Sequence, residues 1–137
     1  MKVFLDTNVL ISAFIARGLC ADLLRLVLAE HRLLTGAVNL DELERVLRDR
    51  FAATPAEIAL ALAVFEDEMV VPRPAAILSV RVRDKADAWV LASAVAAGAD
   101  LLVSGDKDLL TVATRAPVPI VTPREAWERL RGRTGAT

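Results

Sequence analysis

Four carboxylic acids stand where an apolar chain has little reason to place a charge. Asp6 interrupts the opening MKVFLDTNVLISAF, Glu42 lies in VNLDELERVL, Asp87 in DKADAWVLASAV, and Asp106 follows LLVSG. Asp87 shares a helical face with Val90, Leu91 and Ala94, at i+3, i+4 and i+7, so it points along the core side of its helix. A buried charge is costly without a partner, and carboxylates brought together raise one another's pKa unless a cation compensates. An oxygen-only donor set suits a hard ion, Mg²⁺ or Mn²⁺, bound as one or two ions. Such an ion polarises a phosphodiester, lowers the pKa of a water and stabilises the leaving oxygen. The chemistry expected of Asp6, Glu42, Asp87 and Asp106 is therefore metal-dependent phosphodiester hydrolysis without a protein nucleophile.

Around these four stand possible helpers. Asp108 and Asp84 are further candidate ligands through water. Thr7, Asn8 and Ser104 either orient the carboxylates or satisfy turn backbone. Arg81, Arg83 and Lys107 are candidate contacts for substrate phosphates. A blander reading stays open beside the chemical one: each acid is near a helix start, where Asp and Glu cap and favour the helix dipole. Under the metal reading, Asp6→Asn should raise the melting temperature of the metal-free protein by relieving repulsion.

The elements that would carry these residues alternate. Lys2 to Leu5 reads as a strand, followed by helices from about Asn8 to Ala16, with Thr7 as cap, and from Cys20 to about His31. Leu33 to Thr35 is a possible strand. Asn39 is a plausible N-cap for a helix through Arg50, and Thr54-Pro55 opens another through about Glu68. VVPRPAAILSVRVRD is too rich in Pro and Arg for a central strand and reads as edge strand and loop. A helix from Lys85 to Ala97 ends at Gly98. Leu101 to Val103 is a strand, Lys107 to Ala113 a short helix, Ile120-Val121 a last strand, and Pro123 opens a helix through about Arg131. Such alternation predicts an α/β three-layer sandwich, a mostly parallel central sheet of four to five strands with helices on both faces. In that architecture the site lies beyond the carboxyl ends of the strands, where Asp6 and Asp106 fall. Residues 1–131 form one domain, and 132–137 are expected to be a disordered tail.

Composition narrows the alternatives. With 137 residues, 55% of them hydrophobic, the chain suffices for one core. Charges interrupt every apolar run before the roughly 20 residues a membrane span needs. Asp6 also breaks any signal-peptide core, so a cytoplasmic protein is expected. The lone Cys20 and lone His31 offer no zinc spacing. Residues 1–70 carry 7 Lys/Arg against 11 Asp/Glu, and residues 71–137 carry 10 against 7. A net charge of -1 is unfavourable for nucleic acid unless bound cations supply the missing positive charge.

LDTNVLISA, VNLDELERVL, the block DKADAWVLASAVAAGADLLVSGDKDLL and the closing VPIVTPREAW together resemble the PIN-domain family, in its VapC-like toxin branch, from Met1 to about Arg131. The resemblance implies Mg²⁺- or Mn²⁺-dependent ribonuclease activity with Asp6, Glu42, Asp87 and Asp106 as the acid set and Asp108 as an additional acid. It also implies an RNA substrate, an antitoxin partner and a homodimer or larger assembly. Ala86 and Lys85 depart from the family pattern, which often has an acid and a proline there. Two other readings are a PIN-like module that binds RNA or protein without catalysis, and a haloacid-dehalogenase-type phosphatase with Asp6 as nucleophile. Asn8 stands where the latter chemistry wants a second acid.

Overall fold

Side chains alternate across the strands and so divide the core in two. Val3, Leu5, Leu33, Leu101, Val103 and Val121 face one way, while Phe4, Leu34, Leu102 and Ile120 face the other. That period of two, with both faces apolar, marks a sheet covered on both sides. The computed structural model describes residues 1–136, with side chains through Arg131.

Strand β1 (Lys2–Leu5) leads into α1 (Thr7–Ile15) and α2 (Leu19–Glu30), and β2 (Arg32–Gly36) into α3 (Ala37–Phe51) and α4 (Pro55–Leu62). A 3-10 turn at Asp67–Met69 precedes the short β3 (Val70–Val71). Then come α5 (Lys85–Ala96), β4 (Leu101–Val103), α6 (Lys107–Thr111), β5 (Ile120–Val121) and α7 (Pro123–Ala136). The five strands are all parallel, in the order β3-β2-β1-β4-β5. The first cluster gathers residues of α1, α2, α3, α4 and α7 onto one face, and the second brings α5 and α6 onto the other. The expected three-layer α/β sandwich is thus observed.

Several boundaries differ from the sequence expectation for local reasons. Asp6, rather than Thr7, is the N-cap of α1, because its carboxylate accepts from the Thr7 N–H. Helix α3 starts at Ala37, which puts Asn39 in its first turn instead of at its cap. Helix α4 stops at Leu62, short of the expected Glu68, and the EDE run contributes instead to the 3-10 turn. The segment after β3 leaves the sheet after two residues, as its prolines suggested, so Arg81 and Arg83 do not lie in an extended strand. Gly98, at φ +66°, follows α5 in the left-handed region, where glycine is the least strained residue. Helix α7 continues past Arg131 in its backbone to Ala136. The side chains of the expected tail, 132–137, and Thr137 itself lie outside the described residues.

Candidate active site

The carboxyl ends of β1 and β4 meet at the site. The Asp6 N–H donates to the Val103 carbonyl (3.0 Å), and the Ser104 N–H to the Val121 carbonyl (3.0 Å), so both chains leave the sheet together. Asp6 then turns into α1 and Asp106 caps α6. Glu42 comes from α3, and Asp84 and Asp87 come from the cap and first turn of α5. Sheet geometry explains the convergence of five separate acids: each lies on a helix, or at its cap, that starts near the same edge.

Asp6 is buried, only 4% exposed, and surrounded by donors. Its Oδ1 accepts from the Thr7 N–H (2.8 Å) and Asn39 Nδ2 (3.1 Å). Its Oδ2 accepts from Ser104 Oγ (2.7 Å) and Asn8 Nδ2 (3.3 Å). The helpers are themselves fixed: Asn8 Oδ1 accepts from the Gly105 N–H (3.1 Å), and Ser104 Oγ from the Asp106 N–H (2.9 Å). Burial pushes the Asp6 carboxyl up to about 6, against the lowering effect of the Ser104 and Thr7 bonds, with Glu42 and Asp106 adding to the rise.

The sequence marks Asn39 only as a helix cap. It is fully buried and donates to Thr7 Oγ1 (2.9 Å) as well as to Asp6, while its Oδ1 accepts from the Gly36 N–H (3.2 Å). A Cβ on Gly36 would lie 2.7 Å from that oxygen, so the turn admits no side chain there. The available signal was Asn39's place three residues before Glu42, on the same helical side; its partner 33 residues away was invisible.

Asp87 is in the opposite condition. It is buried, yet its Oδ2 has no hydrogen-bond partner. Burial first, then the nearby Asp106 and Asp6 carboxylates, a side-chain hydrogen bond shared with Asp106 and the Asp84 charge push it up to about 8. Glu42 is raised too, by burial and by Asp84 and Asp106, with Arg45 pulling it down. Asp106 Oδ1 accepts from the Asp108 N–H (2.8 Å), and Asp84 Oδ1 from the Ala86 N–H (2.8 Å), so both acids cap helices as well as face the cluster. Asp84, Asp87 and Asp108 each offer a carboxylate oxygen within 4.8 Å of the others. A buried acceptor without a donor, among hard oxygen ligands, fits a divalent cation.

The basic residues expected at the site are placed less tellingly. Arg81, Arg83 and Lys107 are exposed, and among the described residues none makes an ion pair with the acids. Two other arginines, Arg45 and Arg73, line a groove beside Glu42.

The family model described as PIN domain matches residues 2–108. The fold is similar to that in the crystal structure of VapBC2 from Rickettsia felis bound to a DNA fragment from their promoter, with a TM-score of 0.63 and 15% identity over 89% of this chain and 98% of that one. No curated protein sequence matches.

Proposed function

The chain belongs to the PIN-domain family, and from that premise we propose that it is a metal-dependent endoribonuclease, the VapC-like toxin of a toxin–antitoxin pair, acting in the cytoplasm. One observation carries the catalytic half of this reading: the buried Asp87 Oδ2 without a partner, set among carboxyls that raise one another's proton affinity. Raised to about 8, Asp87 keeps its proton at neutral pH in the protein alone, and a bound cation would displace that proton and compensate the charge it leaves.

Mg²⁺ or Mn²⁺, held by Asp87 with Asp84 and Asp108, whose oxygens lie together, and by Asp6, Glu42 and Asp106 around them, would supply Lewis-acid polarisation of an RNA phosphodiester and a more acidic water. The chain's own work is positioning. Four donors lock the Asp6 carboxylate in one orientation. The bonds from the Asp106 N–H to Ser104 and from the Gly105 N–H to Asn8 hold the turn before α6 against the start of α1. Hydrolysis then adds water across one P–O bond, leaving one phosphate monoester and one hydroxyl.

An apolar groove of about 510 Å³, lined by Phe14, Leu47, Phe51 and Leu60 among others, supports a protein partner, and Leu60 is 74% exposed. The likeness to VapBC2 supports the toxin assignment, with an antitoxin as that partner and self-association as a further expectation. Among the described residues no helix is long and apolar enough to cross a membrane.

The test uses purified protein with single-stranded and structured RNAs in Mg²⁺, Mn²⁺ or EDTA. Cleavage is expected only with metal. Asp87→Asn and Asp106→Asn should each reduce it at least about a hundredfold, since ligands matter no less than the groups that orient them. Cleavage in EDTA, or cleavage unaffected by both substitutions, would overturn the reading.

A further inference from the structure

Beside Glu42, between α3 and α5, lies a groove of about 400 Å³. Val38, Asp41, Glu42 and Arg45 line one wall and Trp89 the other, with Arg73 contributed by the segment after β3. The Arg73 guanidinium carbon stands 4.2 Å from the centroid of the Trp89 ring. Stacking on an indole fixes the guanidinium plane and leaves its in-plane N–H groups free to donate. Among the described residues, neither Arg45 nor Arg73 is held in an ion pair, although Asp41 and Glu42 share the groove with them. Two arginines, one of them pre-oriented on a ring, are thus open to an anion.

The location limits what that anion is. Glu42 borders both the groove and the acid cluster, so a strand with its reactive phosphate at the acids places a neighbouring nucleotide here. The volume suits a single small ligand and not a helix. RNA bases in a duplex are stacked and paired, whereas a base in a loop or single strand can enter a pocket and pack on an aromatic or a guanidinium plane. Resting on the ribonuclease reading above, we propose that this groove binds the unpaired nucleotide beside the cut, with Arg45 and the in-plane N–H groups of Arg73 on its phosphates and its base on the outer face of the Arg73 guanidinium, which Trp89 backs. Arg81, Arg83 and Lys107 are not among the residues that line this groove.

The chain has two tryptophans, Trp89 and Trp127, so Trp127→Phe leaves Trp89 as sole reporter. In an Asp106→Asn, Trp127→Phe background with Mg²⁺, a short single-stranded RNA should change Trp89 emission saturably. Arg45→Ala and Arg73→Ala should each weaken that binding about tenfold and reduce the salt slope by roughly 0.7 per lost phosphate contact. Arg48→Ala, on the same helix but paired with Asp49, should do neither. Labelled RNA that binds, by anisotropy, without any change at Trp89 would overturn the proposal. So would arginine variants that behave like Arg48→Ala, or a duplex of the same sequence that binds as tightly. Those results leave the ribonuclease reading standing if wild type still cleaves RNA with metal; absence of both binding and cleavage overturns the two together.

Discussion

Asp6 and Asp87 are both buried acids, but their hydrogen bonding sets them apart. All four of Asp6's neighbours donate to it. An asparagine there would turn an NH₂ toward two donors; Asn8 cannot turn round because its Oδ1 accepts the Gly105 N–H, and Ser104 Oγ already accepts both the Asp106 N–H and Asn8 Nδ2 (3.5 Å). Asp6→Asn is therefore expected to lower the melting temperature of the metal-free protein, reversing the expectation from repulsion alone. Asp87 has an unpartnered oxygen, so Asp87→Asn removes charge at little hydrogen-bonding cost and should raise it, most above pH 8, where Asp87 would otherwise ionise. Asn39→Ala strips a donor from both Asp6 and Thr7 and should destabilise the fold by about 1–3 kcal/mol. Denaturant melts of the three variants in EDTA check all of this. Asp6 and Asp87 could be found in the sequence because a charge in an apolar stretch is conspicuous. Asn39 could not, since asparagine near a helix start is ordinary and only its contacts across the fold give it a second purpose.

At the level of elements, helix α3 carries Glu42, Arg45 and Asn39, and its ends control their placement. It begins at a glycine whose N–H is taken up by Asn39 and finishes at Ala52, which has φ +51° and lies in the left-handed region. A non-glycine residue is strained there. Ala52→Gly should stabilise the protein by roughly 0.5–1 kcal/mol, read as a shift in denaturant midpoint with the slope unchanged. Thr54-Pro55 with Glu57 forms the expected helix start, a reciprocal cap in which Thr54 and Glu57 each accept the other's N–H. Caps of this kind are local and legible. The stop of α4 at Leu62 was not, because the sequence 63–68 still allows a helix, whereas in the fold the chain leaves it and buries Phe65 edge-on against Phe14.

For the whole molecule, the acid cluster ties stability to pH and to metal. Asp6 at about 6 and Asp87 at about 8 both lie above the ordinary aspartate value of 3.8, so between these limits the folded state holds more protons than the unfolded one. Their contribution is then most favourable below about pH 4 and is lost as pH rises through 6 and 8. Glu57 and Glu125, lowered by their bonds to Thr54 and Thr122, act in the opposite direction, but only in the acid range. Without metal, the melting temperature should fall from pH 5.5 to 8.5. Mg²⁺ should restore more of it at 8.5, since a cation competes with protons for the same oxygens. A calorimetric pH series with and without Mg²⁺ measures both trends, and Asp87→Asn should flatten the metal-free one.

The sequence by itself determined what depends on neighbours along the chain. Alternating apolar strands and capped helices specify a parallel sheet covered on both faces, and parallel crossovers bring the helix-starting acids to one edge. Tertiary structure alone decided which groups meet. Asp6 is encircled by donors from α1, α3 and the turn after β4, the Asp87 Oδ2 is left without one, Asp84 joins Asp87 and Asp108, and Arg45 and Arg73 meet at the groove beside Glu42. Those pairings join residues tens of positions apart, and hydrogen bonds and burial are set by distance in space, which periodicity along the chain does not encode.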